Sequence, residues 1–259
     1  MLKMEMAYFF AALGFYTRLP FPNWAEFNAD ILNKSLKYFP LIGWIIGGIA
    51  IATLLIANLI FPLSISILLS IAATIYATGA FHEDGFTDSC DAFGGGWTKE
   101  QVLTIMKDSR IGAYGAVGMM VLLALKGLSL YELGLHSLPI LIITYFNAHV
   151  ASRFMALLMI QTHDYVQDSQ KSKSKPVTAR RLSLTEMTYS SLFILLPSLF
   201  FYPNYLFLLA FLVIYLVKIY LGYYFKKHIG GYTGDALGAT QQITEVMFYF
   251  SILALYNFI

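Results

Sequence analysis

Long stretches of the chain show no alternation of apolar and polar positions. Apolar residues dominate 38–62, 63–81, 111–135, 137–160, 187–203, 204–225 and 236–259. About 20 such residues in a helix cover the hydrocarbon core of a bilayer, so each run predicts a membrane-spanning helix. A shorter apolar run at about 4–19 predicts a helix that spans, re-enters or lies in the interface. The pattern changes after residue 97. Thr98 and Gln101 have capping-box spacing, and Val102, Leu103 and Met106 share one face, which predicts a short amphipathic helix on the membrane surface. The next span opens with Gly112, Ala113, Gly115, Ala116 and Gly118, a small-residue surface suited to close helix packing. No internal repeat or long linker interrupts the chain, so residues 1–259 are expected to form a single integral-membrane domain.

Composition strengthens this picture. The chain is 58% hydrophobic and 12% charged, with a mean hydropathy of +0.65; a soluble domain carries about 25% charged residues. The expected fold class is therefore all-α: a polytopic transmembrane helix bundle of about seven spans. The net charge of +2 points to no nucleic-acid partner. The distribution of charge says more. Thirteen of the 17 Lys and Arg fall in four stretches: Arg18, Lys34 and Lys37; Lys99, Lys107 and Arg110; Lys171, Lys173, Lys175, Arg180 and Arg181; Lys226 and Lys227. The turns near 60–64, 132–137 and 202–205 hold none, an alternation that assigns the four basic stretches to the cytoplasmic face. No cleavable signal peptide is expected, since the first segment lacks a basic leader and a small-residue cleavage site. Cys90 is the only cysteine, so no intramolecular disulfide can form.

One segment breaks the apolar rule. GAFHEDGFTDSCDAFGGG (79–96) gathers His82, Glu83, Asp84, Asp88 and Asp91 at the end of a predicted span. On a helix, Asp84, Asp88 and Asp91 fall within roughly 60° of one another. Like charges stacked in this way oppose helix formation, and a carboxylate near lipid is costly without compensation. A hard cation with oxygen ligands answers both, and Mg²⁺ fits because it takes one or two carboxylates together with substrate phosphates. A solvated acidic helix end is the plain alternative; it requires neither the one-faced spacing nor His82. That histidine could be a ligand, a base or a support for the ligands, and the last is favoured. Glu83 points to another face and is the weaker candidate. The glycines 94–96 either end the helix or let backbone amides approach phosphate.

Further polar residues lie in or beside apolar segments. Lys107, Asp108 and Arg110 follow the amphipathic helix. Asn147, His149 and Arg153 interrupt 137–160, the last two one turn apart; they are either functional or a pair that locks helices. In GGYTGDALGATQQITEV (230–246), Thr233 is placed to cap a helix and Asp235 falls in its first turn. Glu245 lies deeper and needs a partner, for which Arg153, Lys218 or a second metal are the candidates. Lys126 and Lys218 are expected to snorkel or pair. The basic, Ser-rich 167–186 reads as an ordinary loop or as a segment that steers a phosphorylated substrate. Spacing alone points to an intramembrane enzyme acting on a pyrophosphate or phosphodiester. Isoprenoid-diphosphate transferases and CDP-alcohol phosphotransferases use such carboxylate arrays, although Asp88 stands near where the latter's DG-x2-AR pattern needs alanine and arginine. A cation transporter is the non-enzyme reading, and one-faced clustering beside basic residues speaks against it.

HEDGFTDSCDAFGGG, IMKDSRIGAYGA and GGYTGDALGATQQITEV, with FYTRLPFP (15–22) and YFPLIGWIIGG (38–48), resemble the signature blocks of the cobalamin synthases, the adenosylcobinamide-GDP ribazoletransferase family. The blocks run in that family's order from about residue 15 to 250. His82, Asp84, Gly85, Asp88 and Asp91 match its first pattern, with Phe86, Thr87 and Ser89 at small or aliphatic positions. Gly230, Gly231, Thr233, Gly234, Asp235, Gly238 and Glu245 match its last. The resemblance implies Mg²⁺-dependent attack of the 3′-hydroxyl of α-ribazole, or its 5′-phosphate, on adenosylcobinamide-GDP, with release of GMP. It implies Asp84, Asp88 and Asp91 as catalytic metal ligands, and Asp235 as a further ligand or the base. Lys107 and Arg110 would contact phosphate, with Asp108 orienting one of them, while His82, His149, Arg153 and Glu245 would bind substrate or support the site. It also implies a multi-pass protein of the cytoplasmic membrane with its site facing the cytoplasm. Oligomeric state stays open, a homo-oligomer included.

Overall fold

A computed structural model describes residues 2–25, 27–166 and 181–258. Within them the chain is helical, apart from one isolated β-bridge between Tyr165 and Tyr232. Helices α1 (Leu2–Tyr16) and α2 (Ala29–Ser35) precede α3 (Phe39–Ala57), α4 (Leu63–Thr78) and α5 (Phe81–Gly95). Then follow the short α6 (Lys99–Ile105), α7 (Ala113–His136), α8 (Leu138–Thr162), α9 (Leu184–Ser198), α10 (Leu209–Ile229) and α11 (Gly234–Tyr256). Most of the basic stretch 167–186 lies outside the described residues.

Local chemistry sets the boundaries. The expected capping box closes α6, with the Thr98 hydroxyl accepting from the Gln101 amide at 3.3 Å while the Gln101 side chain accepts from Thr98 N–H. Thr233 caps α11 as expected, accepting from Ala236 N–H at 3.2 Å. Between α4 and α5 the backbone turns left-handed at Gly79 (φ 65°) and again at Ala80 (φ 58°), and the helices meet at 91°. For a residue with a Cβ such a conformation carries strain of about 1 kcal/mol or more. This bend carries the polar α5 away from the apolar axis of α4.

Five stretches are long and apolar enough to cross a membrane: Ala29–Ala57, Ala113–His136, Leu138–Thr162, Leu184–Phe201 and Tyr205–Ile229. The bent pair α4–α5 makes a sixth if it is taken as one span. Of the seven expected spans, 63–81 and 236–259 are the two that depart. The helix α4 has only 16 residues, and α11 keeps Thr240, Gln241, Gln242, Thr244 and Glu245 buried in its first half. Leu195, Leu199 and Phe200 beside α9, and Leu212, Leu216 and Tyr220 on α10, remain exposed. Apolar surface of this extent on several helices suits lipid rather than water. The molecule is thus an all-α, multi-pass bundle.

The helix α8 runs through its middle: 72% of its most apolar window is buried, against 28% for α7. Pro197 lacks an N–H, which leaves the Phe193 carbonyl of α9 without its helical donor. The Trp44 indole N–H of α3 supplies one at 2.8 Å, and Asn147 of α8 donates to the Pro197 carbonyl at 3.1 Å. In lipid, where no water can stand in, these two bonds also tie α9 to α3 and α8. Asn147 is thereby a structural residue.

Candidate active site

Three sequence blocks, the last more than 100 residues from the other two, meet at α5. The closest approach is between α5 and α11. A Cβ on Gly85 would stand 2.9 Å from Asp235 Cα, and one on Gly238 would stand 2.9 Å from the His82 carbonyl oxygen. Only glycine lets the two backbones touch in this way, and the contact brings Asp235 beside the acidic face of α5. Asp88, half-buried, has Asp235, Asp84 and Asp91 as its charged neighbours. The side chains of Asp84, Asp88 and Asp235 make no hydrogen bond or ion pair with another side chain among the described residues.

Asp91 is engaged differently. The helix α7 begins without a capping side chain of its own, its N-cap being Gly112. Asp91 reaches across from α5 and accepts from Gly112 N–H at 2.7 Å and Gly115 N–H at 2.8 Å. Two orphan amides and the positive end of the helix dipole receive one buried carboxylate. Each Asp91 oxygen accepts one of these bonds and keeps a further lone pair, so the residue expected as a ligand also tethers α5 to α7. A Cβ at Gly112 or Gly115 would collide with that carboxylate.

The tether places the second block. Arg110 lies two residues before Gly112 and grips Asp108 through its Nε (3.0 Å) and Nη2 (2.6 Å). These bonds hold the Asp108 carboxyl down at about 2. Arg110 is 87% exposed and Lys107 is also exposed, so both cations reach solvent, two and five residues before the Gly112 that Asp91 holds. Asp108 is thus the partner of Arg110.

His82, His149, Arg153 and Glu245 occupy a different place: the polar interior formed by α5, α7, α8 and α11. Glu245 pairs with Lys126 of α7 at 2.9 Å and accepts from Gln241 (2.6 Å) and Tyr249 (2.9 Å), while His149 Nδ1 lies 3.6 Å away. Its partner is therefore Lys126, neither Arg153 nor Lys218; the latter donates to Thr162 instead. The lysine expected to snorkel or pair is 3% exposed and pairs, because α7 and α11 bring it level with Glu245. Arg153 Nη1 donates to the His149 carbonyl at 2.8 Å, as one-turn spacing allows. Both nitrogens of His82, His149 Nε2, Arg153 Nε, Glu83 Oε2 and Gln241 Oε1 are buried with no partner among the described residues. They surround a cavity of about 10 Å³, room for one water and too small for a substrate group. On the lipid side, between α7 and α11, lies an apolar groove of about 360 Å³ bordered by Phe86, Leu122 and Val246.

Among the described residues no group of three or more His, Cys, Asp or Glu side chains is arranged to hold a metal by itself. Asp84, Asp88 and Asp235 nevertheless supply hard oxygen donors whose mutual repulsion a cation would offset, and Mg²⁺ commonly binds through one or two carboxylates with substrate phosphates completing its shell.

The family model for cobalamin-5-phosphate synthase matches residues 8–253, almost the whole chain. The chain belongs to this family. A relative from Shewanella frigidimarina (strain NCIMB 400), named adenosylcobinamide-GDP ribazoletransferase, is 45% identical over 254 residues, covering 96% of this chain and 95% of its own. Proteins of the same name from Shewanella oneidensis and Shewanella woodyi are 42% and 40% identical, with coverage of 96% and 97% of this chain and 94% and 97% of their own. No solved structure matches. Family membership gives the matched glycines a physical sense, since Gly85 and Gly238 are where α5 and α11 touch. Gln242 escaped the sequence reading, and Lys126 was expected to snorkel or pair without a named partner. The polar run TQQITE within an apolar segment was the available signal, but its partners could not be read from it.

Proposed function

We propose that the protein joins adenosylcobinamide-GDP to α-ribazole or α-ribazole 5′-phosphate, forming adenosylcobalamin or its 5′-phosphate and releasing GMP. The observation that carries this is the full-length likeness to relatives of that name. In this reading the protein is a transferase of vitamin B12 nucleotide-loop assembly, set in the cytoplasmic membrane. Its acidic end faces the cytoplasm, because the basic stretches around Lys37, Lys107 and Lys227 lie at the matching helix ends.

The reaction forms a bond from the ribazole 3′-oxygen to the cobinamide-bearing phosphorus and breaks that phosphorus's bond to GMP. Bound Mg²⁺ would neutralise the diphosphate and stabilise the leaving GMP. Asp84, Asp88 and Asp235 would hold it. Asp235, on a helix first turn and next to α5, is also the residue we assign to receive the hydroxyl proton. Lys107 and Arg110, at the solvent edge, draw the diphosphate to the acids, and Asp108 keeps the Arg110 fork oriented. Asp91 holds that edge against α5. His82, His149, Arg153 and Glu245 support the site from the interior.

Purified protein in lipid, given adenosylcobinamide-GDP, α-ribazole and Mg²⁺, should yield GMP and adenosylcobalamin in equal amounts. Absence of both products would overturn the proposal. The lateral groove favours a second reading, transfer from a polyprenyl diphosphate. Phe86, on its border, is about 200° around α5 from both Asp84 and Asp88, which sets the groove apart from the acids. Release of product from a polyprenyl diphosphate in the same assay would reverse the choice.

A further inference from the structure

Glu83 adjoins Asp84 in sequence but points to another face of α5, into the bundle. Its Oε1 accepts from Gln242 Nε2 of α11 at 2.9 Å. The same amide's Oε1 accepts from Lys126 Nζ of α7, also at 2.9 Å, and Lys126 in turn pairs with Glu245 of α11. Gln242 and Lys126 are 2% and 3% exposed. A buried amide bonded at one end to a carboxylate and at the other to an ammonium cannot rotate without leaving a charge poorly partnered, which is costly in such a setting.

The Gly85–Gly238 contact fixes how near α5 and α11 lie but leaves rotation of α5 about its own axis open. The Asp91 tether to α7 restrains that rotation towards the far end of α5, and the Glu83–Gln242 bond restrains it on another face, in the turn that carries Asp84. We propose that Gln242 and Lys126 are positioning residues: through Glu83 they set the rotation of α5, so that Asp84 and Asp88 face Asp235 and the three carboxylates can share one cation. This rests on the cation site of the proposed function.

The test uses full-length protein in lipid nanodiscs, Mn²⁺ alone as the probe followed by electron paramagnetic resonance, and the transfer assay alongside. Gln242→Met keeps length and volume but breaks both bonds; Gln242→Leu serves if it is not recovered folded. The expected result is about tenfold weaker Mn²⁺ binding, the scale of lost supporting contacts at metal sites. Turnover should fall similarly, with KM for both organic substrates within about twofold of wild type. Lys126→Arg, which keeps charge and donor, should retain most of the Mn²⁺ affinity. Wild-type Mn²⁺ affinity in Gln242→Met overturns the positioning role, as does lower thermal stability with affinity and turnover unchanged. Wild-type protein that binds no Mn²⁺ overturns the cation site and this inference together. Wild-type protein that binds Mn²⁺ but makes no GMP overturns the transferase reading alone.

Discussion

Helices α5 and α11 each carry two kinds of acid. Near the solvent end stand Asp84 and Asp88 on α5 and Asp235 on α11, without a bond to any other residue's side chain. Further along each helix stands an acid bonded to other groups: Asp91 to two amides of α7, and Glu245 to Lys126, Gln241 and Tyr249. Chemically the groups are nearly the same. What separates them is partnership. Committed acids resist substitution for the sake of stability, whereas uncommitted ones cost stability and earn their retention through a ligand. Five substitutions, one of them also combined with a change at Lys126, can break or sharpen this division.

The largest effect is expected from Glu245→Ala. It leaves Lys126 buried without its counter-charge, and such a loss costs about 3–5 kcal/mol; thermal unfolding in detergent should fall sharply, and Lys126→Met in addition should restore part of the loss. Unchanged melting would mean that the interior pair is not structural. Asp84→Asn and Asp88→Asn should behave in the opposite way. Turnover should fall by about 10²–10³-fold, the scale for removing one group that stabilises developing charge, while unfolding stays the same or shifts upward as repulsion is relieved. Wild-type turnover in both would remove these residues from the site.

Gly238→Ala comes next. Its added methyl meets the His82 carbonyl, and overpacking of this kind costs about 1–3 kcal/mol; activity should fall further than stability does, because Asp235 moves relative to α5. Equal losses would indicate simple packing. The smallest effect is expected for Asp91→Asn. An amide can replace only one acceptor oxygen at the α7 amides and carries no charge for the dipole, a cost of about 1–2 kcal/mol. Mn²⁺ affinity should change little, and a loss as large as that of Asp88→Asn would return Asp91 to the ligands.

Much of this was legible from the chain. Apolar runs longer than a bilayer is thick announced the spans, capping spacings at Thr98 and Thr233 located two helix starts, and the period of Asp84, Asp88 and Asp91 placed them on one face of what is indeed a helix. These are local properties, decided within one or two turns. Only the tertiary structure decided which of the acids are free. Asp91 could not be told from Asp88 by periodicity, since its partners are amides more than 20 residues away. Glu245 likewise found Lys126, over 100 residues distant, through the packing of α7 on α11. Sequence determines where a helix runs and which face its carboxylates share; whether a carboxylate is satisfied depends on what other helices bring within 3 Å of it, and that is a property of the packed bundle.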